Sequence, residues 1–304
     1  MTISKWLSLM QDRYGQSPFF SKLDLELILC YCLGEGGASK DRSFLAAHPE
    51  IEINFDQGMA AEIAVHKRFS EGEPLAYILG KKEFYGRDFC VDNRVLIPRP
   101  ETETLINAVK KIVGEKQDQF LLVDVGTGSA CIAATVKLEL PKVQVVGVDI
   151  SEWALTVAKE NVDKLGAEVE LLQSDLLEKV DFSAYDKESL IIVANLPYVD
   201  KNWDWISREL AFEPETALYA RDGGLAEIKR FLQQVEEKVS DKCCNFDNIY
   251  VILELDSSQK DPLLKYIEKT FSGNQRIKLK QNKKILAQGE DNFALVFEVC
   301  KAIA

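Results

Sequence analysis

Four consecutive residues, Asn195-Leu196-Pro197-Tyr198, follow an apolar run at 190–194 that predicts a buried strand. The Asn side chain offers both a hydrogen-bond donor and an acceptor. Pro197 favours an extended backbone at Leu196, which can leave the Leu196 carbonyl free to accept a hydrogen bond. The Tyr ring can lie flat on a planar group. Together these residues suit a substrate –NH2, such as a carboxamide or the exocyclic amine of adenine; an ordinary strand followed by a Pro turn is the alternative.

A glycine-rich turn separates a predicted strand at 120–125 from a predicted helix at 132–140. Its residues are Gly126, Thr127, Gly128, Ser129 and Ala130. Glycine lets the backbone approach a ligand closely, and a strand, glycine turn and helix open the nucleotide-binding half of a doubly wound sheet. The dinucleotide-binding fingerprint has a third Gly where this chain has Cys131. A turn that binds a pyrophosphate is therefore not favoured. The pattern from Asp124 onward is therefore closer to that of S-adenosylmethionine-binding proteins.

Acidic residues follow the next two predicted strands. Asp149, followed by Ile150, ends the run 143–148 at the distance from the glycine turn where an acid binds ribose hydroxyls. The alternative is that Asp149 caps the helix beginning near Ser151. The run 169–175 predicts a third strand, after which Asp175 or the backbone of Leu176 would lie beside an adenine ring.

Two prolines bracket an arginine at 98–100. The preceding runs, 83–91 and 93–97, predict two short strands joined by a turn. Pro98 and Pro100 hold the segment extended, and a helix is predicted to start at 101 or 102 and to run to 113. One interpretation is a stiff wall near the pocket, with Arg99 and Glu101 or Glu103 tying two domains together. The other is a linker and a helix start.

The spacing of predicted elements indicates an α/β fold. Strands at 120–125, 143–149, 168–173, 189–194 and 249–254 alternate with helices, which predicts a parallel sheet covered on both faces. Runs near 276–280 and 292–299 predict an antiparallel hairpin at its edge. Residues 1 to 80 have helical periodicity, with helices predicted at 24–33 and 56–70. Ligands bind beyond the carboxyl ends of parallel strands, where the candidate residues fall.

The composition restricts the class of protein. The chain has 304 residues, with 37 basic and 49 acidic side chains and a net charge of −12. Nucleic-acid binding relies on cations placed against phosphates, so this balance argues against it and fits a protein partner with a basic face better. Seven Cys residues in no zinc or disulfide spacing indicate a reducing compartment. No run predicts a signal peptide or a membrane span, so we expect a cytoplasmic monomer without membrane contact.

Several segments together resemble one family over nearly the whole chain. The segment 95–103 resembles the L-I-P-R-P-[DE]-T-E motif of the PrmC/HemK family. Segments 74–80 and 83–86 resemble the family's run into its hairpin, and 212–214 with 217–218 resemble its stretch after the catalytic loop. The resemblance implies a Rossmann-like class I methyltransferase sheet, mostly parallel with an antiparallel C-terminal hairpin, and a small helical N-terminal domain. It implies S-adenosylmethionine as cofactor and peptide chain release factors as partners, methylated on the glutamine amide nitrogen of their Gly-Gly-Gln motif.

The resemblance also implies residue roles and domain boundaries. The catalytic tetrapeptide, 195–198, would bind substrate together with Arg99 and Pro100. The cofactor would contact Asp124, Gly126, Thr127, Gly128, Ser129, Ala130, Asp149, Ile150, Asp175, Leu176 and Asn195. The implied domains are a substrate-docking domain over 1–82, a hairpin linker with the Pro-Arg-Pro segment over 83–100, and a methyltransferase domain over 101–304. Because an amide nitrogen is a poor nucleophile, positioning must supply most of the rate, and good alignment contributes roughly 7–11 kcal/mol.

Two positions depart from the family pattern. Leu196 replaces the first Pro of the usual N-P-P-Y tetrapeptide, and Asn-Leu-Pro-Tyr also resembles ribosomal RNA adenine dimethyltransferases. Ala130 replaces a usual Gly, which costs little unless that position needs a positive φ. Two alternatives therefore stay open: an adenine-N6 methyltransferase acting on RNA or DNA, and a non-catalytic protein that binds S-adenosylmethionine.

Overall fold

The structure is a computed structural model that describes residues 1–34, 40–204, 207–241, 244–272, 277–286 and 292–301. Its Cα positions divide into two compact units. The first comprises residues 1–81 together with 207–212, and the second comprises the remaining residues from 82 onward. None of the helices within these described ranges is long and apolar enough to cross a membrane.

The first unit is helical. Its helices are α1 (Ile3–Tyr14), α2 (Lys22–Cys32), α3 (Arg42–Ala47), α4 (Phe55–His66) and α5 (Leu75–Leu79). The first four begin at a polar cap residue whose side chain accepts a hydrogen bond from a backbone N–H of the first turn. Trp6, Leu29 and Phe69 are fully buried in one core. The two helices predicted at 24–33 and 56–70 are confirmed as α2 and as α4 with its π-helical continuation, Lys67–Glu71.

A two-stranded hairpin follows, and its position differs from the prediction. The strands are β1 (Lys81–Phe84) and β2 (Arg87–Cys90). Tyr85 and Gly86, with φ of 52° and 75°, form the turn, a conformation that suits two-residue hairpins. The predicted strand at 93–97 is wrong. The backbone N–H of Ile97 instead donates a hydrogen bond to the buried carboxylate of Glu213, at 3.0 Å.

The second unit is built on a seven-stranded sheet. Its strands are β3 (Phe120–Val125), β4 (Gln144–Asp149), β5 (Glu170–Gln173), β6 (Ser189–Ala194), β7 (Asn248–Asp256), β8 (Ile277–Leu286) and β9 (Asn292–Lys301). Their order is β5-β4-β3-β6-β7-β9-β8. The first five are parallel, β9 is antiparallel to β7, and β8 is antiparallel to β9. The predicted sheet and closing hairpin are confirmed; residue 276 of the predicted hairpin lies outside the described residues.

Helices cover both faces of this sheet. They are α6 (Glu103–Val113), α7 (Cys131–Glu139), α8 (Glu152–Leu165), α9 (Glu215–Leu218), α10 (Ala226–Ser240) and α11 (Lys260–Ser272). Phe231 and Ile267 pack in the hydrophobic cluster on one face, and Ile106 and Val136 in the cluster on the other. Every residue of β3 and β6 is buried, because a parallel strand between two helical layers has no solvent face.

Candidate active site

A cavity of about 580 Å³ lies at the carboxyl ends of β3, β4 and β6. Most of the residues predicted from the sequence line it: Arg99, Gly126, Thr127, Gly128, Ser129, Asp149, Ile150, Asp175, Leu176, Asn195, Leu196 and Pro197. They come together because parallel neighbouring strands all end at one edge of the sheet. Four predicted residues, Asp124, Ala130, Tyr198 and Pro100, are not among the residues that line the cavity.

The glycine turn is held against the end of β4. The backbone N–H groups of Gly126 and Thr127 both donate to the Val148 carbonyl, at 2.9 Å. Gly126 has a φ of 73° and Gly128 a φ of 54°, a conformation that glycine adopts without steric cost. A Cβ atom at 126 would lie 3.2 Å from Cδ2 of Leu196. The turn and the tetrapeptide are therefore fitted to each other at the cavity wall.

Asp124 supports the glycine turn from behind. The residue is fully buried; its Oδ2 accepts hydrogen bonds from the Thr127 hydroxyl at 2.6 Å and the Ala133 backbone N–H at 3.2 Å. Burial raises the pKa of Asp124 to about 7. Asp124 therefore fixes Thr127 from behind the cavity wall, and a cofactor contact of Asp124 stays a prediction.

Ala130 also lies behind the turn. It is fully buried and has a φ of 60° in the left-handed region. Replacing Gly by Ala at position 130 was expected to cost little unless the position needs a positive φ, and the structure shows that it does. An L-residue in that conformation costs roughly 1–2 kcal/mol, so alanine at this position carries backbone strain. Ala130 does not line the cavity, and its predicted cofactor contact stays a prediction.

Asp149 faces the cavity without capping the following helix. Its Oδ2 accepts from the Gly128 backbone N–H and its Oδ1 from the Ser151 backbone N–H, both at 2.9 Å. Ser151 is the N-cap of α8 and accepts from the Ala154 N–H at 3.2 Å, so the capping alternative for Asp149 is wrong. Burial raises the pKa of Asp149. Each carboxylate oxygen has a second lone pair, which suits ribose hydroxyls.

The side chain of Asp175 is occupied by an ion pair. Its Oδ2 lies 2.7 Å from Nη2 of Arg230, and the same guanidinium contacts Glu227 at 2.6 Å. Arg230 and Glu227 line the cavity as well. Leu176 follows with a φ of 53°. Because the Asp175 carboxylate is already paired with Arg230, the backbone around Leu176 is the better candidate for the predicted contact with adenine.

Asn195 lines the cavity, and both of its amide hydrogens are engaged by buried side chains. Its Nδ2 donates to the Thr102 hydroxyl at 3.1 Å and to Oε1 of Glu254 at 3.2 Å. Within the described parts of the chain, no group donates to Oδ1 of Asn195 or to the Leu196 carbonyl. These two oxygens are acceptors, so the site suits a substrate that presents an –NH2 group.

Tyr198 is not among the residues that line the cavity. Its ring packs against the hydrophobic cluster beneath α10 and α11, and its hydroxyl donates to Oε1 of Glu254 at 3.3 Å. Desolvation, followed by the nearby Glu254 charge, raises the pKa of Tyr198. Tyr198 thus holds the end of the tetrapeptide through Glu254, and its stacking on the substrate amide stays a prediction.

Arg99 makes its ion pair with a residue that the sequence did not suggest as its partner. Its Nη2 donates to Oε1 of Glu213, and only 5% of Glu213 is exposed. Glu103 accepts from the Tyr85 backbone N–H at 2.9 Å. Arg99 of the Pro-Arg-Pro segment is thus fixed by Glu213, and both residues belong to the second unit.

Sequence reasoning missed several residues of the site. Glu254 ends a strand that was predicted, so the rule that selected the other strand ends applies to it as well. Asn161 donates to the Ser129 carbonyl at 2.9 Å from the buried face of α8, and no motif marks it. Trp153 lines the cavity while 71% of the residue is exposed.

Comparison with protein families assigns both parts of the chain. Residues 16–80 match the PrmC N-terminal domain, and residues 101–226 match the methyltransferase small domain. The release factor glutamine methyltransferase of Koribacter versatilis is 41% identical over 218 residues, covering 71% of this chain and 74% of that protein. The protein of the same name from Bacillus subtilis is 38% identical over 255 residues, covering 82% and 83%.

The chain belongs to the release factor glutamine methyltransferase family. The family resemblance carried by the Pro-Arg-Pro segment is confirmed. Among solved structures, the hMettl16 catalytic domain in complex with MAT2A 3'UTR hairpin 1 superimposes with a TM-score of 0.52 at 13% identity, covering 96% of this chain and 90% of that chain. That likeness shows the class I methyltransferase fold alone.

Proposed function

We propose that this protein transfers a methyl group from S-adenosylmethionine to the side-chain amide nitrogen of the glutamine in the Gly-Gly-Gln motif of peptide chain release factors. One observation carries the proposal: the Asn195 Oδ1 and the Leu196 carbonyl are two acceptors at a cavity that is also lined by a nucleotide-type glycine turn. The relatives from Koribacter versatilis and Bacillus subtilis are named release factor glutamine methyltransferase, which is the activity proposed.

The residues present fit S-adenosylmethionine. The positive-φ glycines of the turn allow close backbone approach, Asp149 offers a carboxylate for ribose hydroxyls, and the cavity volume of about 580 Å³ lies within the range of small-molecule sites. Gly126, Gly128, Asp149 and the backbone at Leu176 would hold the cofactor. When bound, its sulfonium supplies an electrophilic methyl group.

The protein's own part in the reaction is to orient the substrate amide. Asn195 Oδ1 and the Leu196 carbonyl accept the two N–H hydrogens, which fixes the nitrogen in one place and direction. Holding reactants in this way replaces an encounter in solution by an effectively unimolecular step. The same two oxygens stabilise the positive charge that develops on nitrogen as its bond to the methyl group forms and the sulfonium S–C bond breaks. S-adenosylhomocysteine would be the leaving group, and one of the two N–H protons would pass to solvent. Arg99, fixed by Glu213, lines the side of the cavity where substrate would enter.

We further propose that three segments of the chain have different roles. Residues 1–82 form a domain that docks the release factor, and residues 83–100 form the linker to the next domain. Residues 101–304 form the domain that catalyses the methyl transfer. The net charge of −12 favours a basic protein surface over nucleic acid as partner. The protein acts as a cytoplasmic monomer.

Methyl-labelled S-adenosylmethionine tests this function. The protein is incubated with the labelled donor and either a release factor or ribosomal RNA, and the label is mapped by mass spectrometry. We expect label on the tryptic peptide that contains the Gly-Gly-Gln motif, and none on a release factor in which that glutamine is replaced by asparagine. Label on adenine of the RNA would instead support the adenine-N6 alternative. Cofactor binding without turnover on any release factor would support the non-catalytic alternative.

A further inference from the structure

Glu254 is a buried carboxyl group directly behind Asn195. The preceding residues, Leu253 on β7 and Ala194 on β6, are paired across the sheet, and only 3% of Glu254 is exposed. Its Oε2 is one of four buried side-chain polar atoms within the described residues that lack a hydrogen-bond partner. Because burying a carboxyl group costs free energy, its location next to the tetrapeptide needs an explanation.

The chemistry of a carboxylate determines which way the Asn195 amide faces. An ionised carboxylate has no donor, so it can face only the –NH2 side of the amide. Oε1 of Glu254 accepts from Nδ2 at 3.2 Å, and the Thr102 hydroxyl takes the second amide hydrogen at 3.1 Å. The opposite rotamer would place Oδ1 against the carboxylate, which is repulsive.

We propose that Glu254 is a positioning residue that holds the Asn195 side chain with Oδ1 toward the cavity, so that Asn195 accepts a hydrogen bond from the substrate –NH2 group. This inference rests on the proposed function and adds a residue and an orientation to it. A flipped amide would present Nδ2 to the substrate –NH2 group, donor against donor, and would lose the hydrogen bond.

The end of β7 also holds the other end of the tetrapeptide. The Tyr198 hydroxyl donates to the same Oε1 of Glu254 at 3.3 Å. Gln259, just after β7, donates from Nε2 to the Tyr198 carbonyl at 2.7 Å and to the Gly223 carbonyl at 2.8 Å. One carboxylate oxygen thus contacts the first and the last side chain of the loop.

The ionisation of Glu254 makes this orientation dependent on pH. Burial, followed by weaker repulsion from Glu101, raises its pKa to about 7, against hydrogen bonds from Thr102, Tyr198 and Asn195 that lower it. Among its neighbours, desolvation raises the pKa of Tyr198, and burial raises that of Cys131 to about 12. Asp124, behind the glycine turn, has a pKa raised to about 7 and is the second buried carboxyl group of the site that titrates in this range. Protonated Glu254 has a donor and tolerates either amide rotamer, so methyl transfer should fall as the pH drops through about 7.

Glu254→Gln is the test variant, because it keeps the shape and places a donor and an acceptor at 254 at every pH. At pH 8 we expect kcat to fall about tenfold with the cofactor Kd unchanged, and the limb of the pH profile near 7 to disappear. Glu254→Asp keeps the charge and should keep that limb. Glu268→Gln, on the exposed face of α11, removes the same charge elsewhere and should behave as the parent. Unchanged kcat and an unchanged limb in Glu254→Gln would overturn the proposal.

A second readout does not require turnover. The 15N side-chain amide resonances of Asn195, assigned with an Asn195→Asp sample, are followed from pH 5.5 to 8.5 without substrate. We expect a shift with a midpoint near pH 7 in the parent and in Glu254→Asp, and none in Glu254→Gln; a shift that persists in Glu254→Gln would overturn the proposal. If the parent shows this titration but methylates no release factor, the proposed function fails while the positioning role of Glu254 stands.

Discussion

Asn195 is the side chain on which the acceptor site depends. Its Nδ2 is engaged by Thr102 and Glu254, which leaves Oδ1 for the substrate. We predict that Asn195→Ala lowers kcat by about 100-fold or more, because losing one preorganised electrostatic contact to the transition state has that effect, while the cofactor Kd changes less than about threefold. Single-turnover kinetics and isothermal titration calorimetry measure the two quantities. Equal losses in both would mean that Asn195 builds the cofactor pocket instead.

Glu254 gives a second prediction at the residue scale, in stability. Its pKa is raised from 4.5 to about 7 in the folded protein, so the folded protein holds the proton more tightly than the unfolded chain. The parent therefore loses stability as the pH rises between these values. Relative to the parent, the free energy of unfolding of Glu254→Gln should rise by up to about 3 kcal/mol from pH 4.5 to 8. Urea unfolding at a series of pH values measures it; a difference that does not vary with pH contradicts the shift.

Whether a site residue could be predicted depends on how far along the chain its interacting partners lie. Gly126, Gly128, Asp149 and Asn195 could be predicted because each lies at or just after the carboxyl end of a strand. The partners that fix them could not, since Glu254 lies 59 residues from Asn195 and Glu213 lies 114 residues from Arg99. Ionic and hydrogen-bond partners that are distant in sequence leave no local periodicity.

At the scale of elements, β4 must pass close behind the glycine turn. Gly147 on β4 has no side chain, and a Cβ there would lie 2.9 Å from Oγ1 of Thr127 and 3.1 Å from Cδ2 of Leu171. We predict that Gly147→Ala lowers the free energy of unfolding by about 1–3 kcal/mol through overpacking and weakens cofactor binding, because Thr127 must move. Thermal unfolding and calorimetry measure both effects.

Gly58 in α4 is the matched control for that substitution. A Cβ at 58 would make only an ordinary contact, 3.7 Å from Cγ2 of Ile53. Gly58→Ala should therefore raise the free energy of unfolding by about 0.5–1 kcal/mol, since alanine is favoured over glycine inside a helix, and leave cofactor binding unchanged. If both substitutions destabilise equally, close packing behind the turn is not the cause.

Elements were predictable from the sequence where burial dictates the pattern. The apolar runs of β3 and β6 are fully buried, so their bounds were identified directly. The hairpin was misplaced because the turn uses Tyr85 at positive φ, a residue that gives no turn signal. The 93–97 run is apolar because Val95 and Ile97 are buried, but its backbone is satisfied by a side chain instead of a neighbouring strand.

At the scale of the whole molecule, the chain returns to its first unit late in the sequence. Segment 207–212 belongs to that unit, and Arg68 contacts both Asp24 at 2.6 Å and Glu209 at 2.7 Å. Nothing in the sequence indicates this, because the contacts are 44 and 141 residues apart. The domain prediction of 1–82 as one continuous stretch did not include such a return.

We predict that Arg68→Ala lowers the free energy of unfolding by about 2–4 kcal/mol, because its side chain is 11% exposed and its loss leaves the half-buried Asp24 carboxylate without that partner. Arg13→Ala is the control: Arg13 is 49% exposed and lies 3.5 Å from Glu62, so its loss should cost less than about 1 kcal/mol. Chemical denaturation compares the two. Similar small losses would show that the return of segment 207–212 contributes little to stability.

A crystal structure with S-adenosylhomocysteine and a Gly-Gly-Gln peptide tests the account most directly. The cofactor product should lie over Gly126 and Gly128 with its ribose on Asp149. The glutamine amide nitrogen should lie within hydrogen-bond distance of both Asn195 Oδ1 and the Leu196 carbonyl. A cofactor product bound elsewhere, or an Asn195 side chain turned with Nδ2 toward the glutamine, would contradict the account.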